Sequence, residues 1–173
     1  PVGTPVNGTP VLGALSLAWE LDRVFAGSDQ APPDQVVVAI GNPALRQTWQ
    51  QVLEQVDAPL GLVIHPRASV SASAQIAPGG VVLAGAVVNA NASLHAGVLV
   101  NSGAVVDHDA TCAAYSQLGV NAAMAGGSSL GPLACLGPGE VLHCGETRFA
   151  ALELSPGASY PDEGLTSTPT ASP

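Results

Sequence analysis

The residues best suited to chemistry lie in one polar run, Asn101-Ser102-Gly103-Ala104-Val105-Val106-Asp107-His108-Asp109. An imidazole flanked by two carboxylates has its charged form favoured, because each opposite charge stabilises the added proton. An acidic neighbour also fixes which ring nitrogen carries the proton, and a general base needs that choice made in advance. The chemistry this points to is general-base proton removal. The same tripeptide also suits a solvated corner of the chain, so the surrounding elements must decide.

Other candidates are weaker. His65 lies in an Ile-His-Pro turn, and His95 and His143 lie at or just after apolar positions. A three-histidine zinc site needs a pair a few residues apart plus a third farther away. No such pair occurs, so no metal is expected. Cys112, Cys135 and Cys144 are odd in number and form no CxxC pair. Free thiols in a reducing cytoplasm are therefore expected, rather than a disulfide framework or zinc ribbon. In that compartment the Asn-x-Ser/Thr sequons at Asn7 and Asn91 are chance matches.

The net charge is −9, with four arginines and no lysine. Nucleic acid is not an expected partner, because phosphate binding needs clustered cations. No apolar run is long enough to span a bilayer. Apolar residues reach 47% but aromatics only 3%, so the core must be thin and built from small side chains.

A repeat supplies such a core. Every sixth residue from Ile64 to Leu142 is apolar, fourteen positions in all, including Val106, Cys112, Leu118 and Met124. Chance would produce this on the order of once in ten thousand registers. Four residues after each comes a second series, nearly all small: Ala68, Ala74, Gly80, Ala86 and onward to Ala134, then Glu140. A strand and a turn in every six residues, three to a coil, predict a parallel β-helix with identical positions stacked 18 residues apart. The register asks for an apolar residue at 148 and meets Arg148, so the array is expected to stop after Leu142, at about four and a half coils.

Stacking bears on the chemistry. His108 shares its column with Ala90 and Gly126, which places the imidazole above an open shelf. Gly126 and Gly127 would leave backbone N–H groups accessible there as oxyanion donors.

Upstream, residues 35–40 read as a buried parallel strand. Pro43 opens a helix that places Leu45, Trp49, Val52, Leu53 and Val56 at helical spacing. A further helix is expected over residues 14–25. The division is a partial Rossmann-like α/β unit over 1–63, the β-helix over 64–145, and a tail over 146–173. That tail is expected to be a short helix at 146–154, then disordered.

These motifs resemble the bacterial sugar acyltransferases of the hexapeptide-repeat superfamily. The resemblance runs over residues 6–142 and rests on Pro10-Val-Leu-Gly13, Ala39-Ile-Gly41-Asn-x-x-x-Arg46, Ile64-His65-Pro66, the Asn101-Ser-Gly…Asp107-His108-Asp109 element and Met124-Ala-Gly126-Gly127. The most similar group acetylates sialic acids or the amino group of UDP-4-amino-sugars. The resemblance implies a mainly β fold, a left-handed parallel β-helix preceded by a truncated Rossmann-like fragment. It implies a cytoplasmic homotrimer with sites between neighbours, acetyl-CoA as acyl donor, and a nucleotide-sugar or sialic-acid-like acceptor. His108 would be the general base and Asp109 would orient it. Asn101 would place the acceptor, and the Gly126 amide would contact the thioester oxygen. Gln117 stands where relatives carry a second histidine, nine residues after the base. The glycine-rich loop of the first strand and the closing coils after Gly145 are expected to be missing. The alternative is therefore a truncated, inactive β-helix with an assembly or binding role.

Overall fold

The computed structural model describes residues 34–150. The helix expected over 14–25 and the tail from 151 onward lie outside them. The described chain is a parallel β-helix with one helix docked on its side.

Three faces each carry five two-residue strands. The first stacks β1 (Val63–Ile64), β4 (Val81–Val82), β7 (Leu99–Val100), β10 (Gln117–Leu118) and β13 (Cys135–Leu136). The second stacks β2 (Ser69–Val70), β5 (Val87–Val88), β8 (Val105–Val106), β11 (Ala123–Met124) and β14 (Val141–Leu142). The third stacks β3 (Gln75–Ile76), β6 (Ser93–Leu94), β9 (Thr111–Cys112), β12 (Ser129–Leu130) and β15 (Thr147–Arg148). Every ladder is parallel and advances by 18 residues, as Val88↔Val106 and Met124↔Leu142 illustrate.

From β4 to β14 the second residue of each strand points inward. Val82, Val100, Val106, Cys112 and Leu118 are fully buried, as are Ala86, Ala104, Ala110 and Ala122 of the small series. Each fully buried valine or leucine is worth about 1.5–3 kcal/mol, so stacking alone stabilises the coils. The thiol of Cys112 is pushed up to about 12 by burial. It is a core residue, as its register implies.

A third series sets the corners. Every sixth residue from Gly79 to Gly145 has φ between 55° and 74°. Ten of these twelve are Gly, Asn or Asp, the residues that tolerate the left-handed region; Tyr115 and Leu133 are the exceptions. Each of these except Asn91 donates its N–H to a carbonyl one coil below, for example Asp109 to Ala90 and Gly127 to His108, both at 2.9 Å.

The array runs farther than the side-chain register suggests. It reaches Arg148, completing five coils, because strand pairing is a backbone property that Arg148 does not interrupt. Thr147–Arg148 is a strand, not the start of a helix. The Arg148 side chain turns out to Glu140, Nη1 to Oε2 2.8 Å, so two charges close the end of the coil where the inward series fails.

The helix is where expected, α1 (Pro43–Gln55), with Asn42 Oδ1 accepting the Leu45 N–H at 3.0 Å. The face it buries is only partly the apolar one. Arg46, Gln50 and Leu53 are turned inward, while Leu45 and Val56 are exposed. Residues 35–40 make a single parallel bridge, Val36↔Leu60, rather than a full strand. A parallel strand needs flanking strands, and among the described residues only Leu60 pairs there.

Candidate active site

β8 delivers the chain into the corner Asp107–Asp109. Asp109, at φ 57°, turns the backbone so that its carboxylate comes back beside the preceding ring. His108 Nδ1 lies 2.8 Å from Asp109 Oδ2, and both side chains are more than half exposed. Asp109's hydrogen bond, then the charge of Asp107, holds the imidazole above its ordinary value. Asp109 in turn lies below the usual carboxylate range, chiefly through His108 and then through Asn91. This pairing favours the proton on Nδ1 and leaves Nε2 as the acceptor, which suits a base.

The His108 ring packs against Gly126. A methyl group built on Gly126 would come within 2.7 Å of both Cε1 and Nε2 of His108. The acceptor edge of the ring therefore rests directly over Gly126, and only glycine leaves it there. The two glycines differ as oxyanion donors. Gly127 gives its N–H to the His108 carbonyl, so it is committed to the corner. The Gly126 N–H has no acceptor among the described residues and is the one that remains available.

Asn101 and Gln117 lie elsewhere on the same chain. Asn101 follows β7, one corner before His108, and its Oδ1 accepts the Ser102 N–H at 2.8 Å. Gln117 sits on the first face, where its Oε1 lies 3.4 Å from Arg46 Nη1. Neither contacts His108 within one chain. Among the described residues no three His, Cys, Asp or Glu side chains cluster to hold a metal. No described helix is long and apolar enough to cross a membrane.

Three residues of consequence carry no role at the site in the sequence reading. Asn89 Nδ2 donates to Asp107 Oδ1 at 2.8 Å, and Asn91 Nδ2 donates to Asp109 Oδ1 at 3.1 Å. Asp107 is held below the usual carboxylate range, first by Asn89 and then by the His108 N–H. Subtracting 18 from each acidic position would have found both asparagines. The third is Arg46, which is fully buried against the corner at Gly97 and Tyr115 and donates to both carbonyls, at 2.8 and 3.1 Å.

No model of a known protein family matches the sequence, and no curated protein does. Solved structures do match. A GDP-perosamine N-acetyltransferase from Caulobacter crescentus, a histidine-to-alanine variant with CoA and GDP-perosamine, is 34% identical; the match covers 86% of this chain and 68% of that one, with a TM-score of 0.76. The chain belongs to the hexapeptide-repeat sugar acyltransferases. A second structure of that kind, PerB from the same organism with CoA and GDP-perosamine, is 35% identical to this acyltransferase family member over 84% of this chain and 67% of that chain, with a TM-score of 0.75. The acetyltransferase domain of PglB from Neisseria gonorrhoeae is 30% identical, covering 87% and 80%, with a TM-score of 0.67.

Proposed function

We propose that this chain is an acyl-CoA-dependent acetyltransferase that moves the acetyl group of acetyl-CoA to an amino group, or a hydroxyl, of a nucleotide-linked sugar. The observation that carries the reading is His108, with Nδ1 on Asp109 and its Nε2 edge over the Gly126 shelf. The likeness to enzymes crystallised with CoA and GDP-perosamine supports the donor and the acceptor class.

In this reading the acceptor amine attacks the thioester carbonyl and a C–N bond forms. Nε2 of His108 takes the proton that the nitrogen loses. The Gly126 N–H faces the oxyanion, and Asp109 stabilises the imidazolium that results. The tetrahedral intermediate then expels CoA thiolate as the C–S bond breaks, and the imidazolium proton goes to the thiolate or to water.

The reading includes a homotrimer of left-handed coils with Asn101 and Gln117 serving sites shared between neighbours. What supports assembly is the second face, whose outward column after Ser69 is apolar through Val87, Val105, Ala123 and Val141, with Val141 half exposed. The third face presents Ser93, Thr111, Ser129 and Thr147 instead. Four successive apolar residues in an outward column form a surface that a symmetric assembly covers. Residues 34–62 are read as part of an α/β unit that holds the nucleotide-sugar, and the cytoplasm as the compartment.

The test is acetyl transfer from acetyl-CoA to a panel of nucleotide-linked amino sugars, followed by thiol release. His108→Ala is expected to lower kcat by about 10²–10⁴-fold, the usual worth of a positioned base. Unchanged turnover in that variant would remove His108 from the mechanism. One observation favours a second reading, a β-helix that only binds or assembles: Gln117, in place of the family's second histidine, is tied to Arg46. Calorimetric titration with acetyl-CoA separates the two, since heat of binding followed by turnover sinks the inert reading.

A further inference from the structure

The chemistry at His108 depends on the coil beneath it. Asp109 offers two oxygens, and they are used separately. Oδ2 faces His108 Nδ1 at 2.8 Å, and Oδ1 accepts from Asn91 Nδ2 at 3.1 Å. Asn91 occupies the same corner column as Asp109, 18 residues earlier, with nearly the same backbone, φ 59° against 57°. Its own N–H is held by Ser73 Oγ of the coil below at 3.1 Å, so the amide is anchored in turn. An exposed carboxylate otherwise rotates freely, and only a second bond on its far oxygen keeps the near one aimed at the ring.

We propose that Asn91 is a positioning residue for the acyl transfer: its amide clamps Asp109 so that His108 keeps its proton on Nδ1 and presents a bare Nε2 over Gly126. The inference rests on the reading of His108 as the base. It adds a residue that never touches the ring and acts only through Asp109. Asn89 marks the contrast. It holds Asp107, which accepts from the His108 backbone N–H at 2.7 Å and so fixes the main chain rather than the imidazole. Asp107 and Asp109 are the charged groups that face the ring among the described residues. The preceding coil contributes Ala90 and the two uncharged amides, and the following coil contributes Gly126.

The test is Asn91→Gly. Glycine adopts the left-handed corner without strain, and the same column already carries Gly127 at φ 66° and Gly145 at φ 70°. Two-bond proton–nitrogen NMR on labelled histidine reports the tautomer and titration of His108 directly, without any substrate. In the parent protein the neutral ring is expected to hold its proton on Nδ1. In Asn91→Gly it is expected to become a mixture of tautomers and to titrate at lower pH, in the same direction as Asp109→Asn and by less. Turnover should fall about tenfold with KM for acetyl-CoA unchanged, by analogy with the partners that orient metal-bound histidines. An unaltered tautomer and titration in Asn91→Gly, beside a changed ring in Asp109→Asn, overturns the clamp and leaves the base reading intact. An unaltered ring in both variants overturns the clamp together with the orienting role of Asp109. A shifted ring in a protein that never transfers acetyl supports the clamp and removes the base reading.

Discussion

The corner that carries Asp109 and the corner that carries Tyr115 turn with the same left-handed backbone, φ 57° and φ 60°. At the first, side chains point into solvent above a glycine, and hydrogen bonds run along the column between exposed groups. At the second, α1 lies over the corner. Arg46 fills it, donating to Gly97 O and Tyr115 O and, through Nη1, to Ile40 O at 2.9 Å and Gly41 O at 3.1 Å. Gln50 adds a bond to Gly79 O at 3.0 Å in the same column. The repeat makes identical corners, and what lies above and below each decides whether it becomes a joint or a site. One is closed by a buried cation, the other left open around a base.

The closed corner should fail first when its cation is removed. Arg46→Met leaves the carbonyls of Gly97 and Tyr115 buried without donors, and a loss of about 3 kcal/mol in unfolding free energy is expected, read by urea denaturation. Arg46→Lys should recover little of it, since one ammonium cannot span acceptors that the guanidinium fork reaches.

At the open corner the largest effect of a small change is on rate. Gly126→Ala puts a methyl group against Cε1 and Nε2 of an exposed, movable ring. Unfolding should barely change, while kcat falls about tenfold through displacement of the base, which is the outcome if misplacement costs roughly 1.4 kcal/mol in the transition state. Equal losses of stability and rate would show that the shelf is structural.

The pH profile sharpens the same point. His108 is raised by Asp109, so the base is protonated, and the rate low, below that raised value; the acid limb of kcat/KM should sit above the ordinary imidazole range. Asp109→Asn should move that limb to lower pH. The sign for stability follows from the same shift. A group whose folded pKa is raised stabilises fully below its unfolded value, and the contribution disappears as pH rises through the folded one. Asp109 is lowered, so its share is present above its unfolded value and disappears as pH falls through the folded one.

The smallest effect belongs to the core between the corners. Ser116 replaces alanine in the small inward series, and its buried hydroxyl has no partner. Ser116→Ala is expected to raise stability by about 1 kcal/mol, read as a higher denaturation midpoint.

Much of this was legible in residue order. The two inward series located the coils and the 18-residue columns, and those columns put His108 over Gly126 before any coordinates. Other parts were hidden for physical reasons. The end of the array was misplaced because Arg148 breaks a side-chain pattern but not a backbone ladder. The apolar stripe of α1 located Leu53 but not Arg46 and Gln50 beside it, because a buried arginine satisfied by carbonyls looks in sequence like a surface residue.

The coil, its core and the shelf beneath the imidazole follow from composition and period alone, since in a repeat each position's neighbours are set by counting. The clamp of Asn91 on Asp109, the commitment of the Gly127 amide and the Arg46 joint depend on directions, not positions. Which lone pair faces which donor is fixed when the chain closes its corners in three dimensions, and a list of residues does not carry that information.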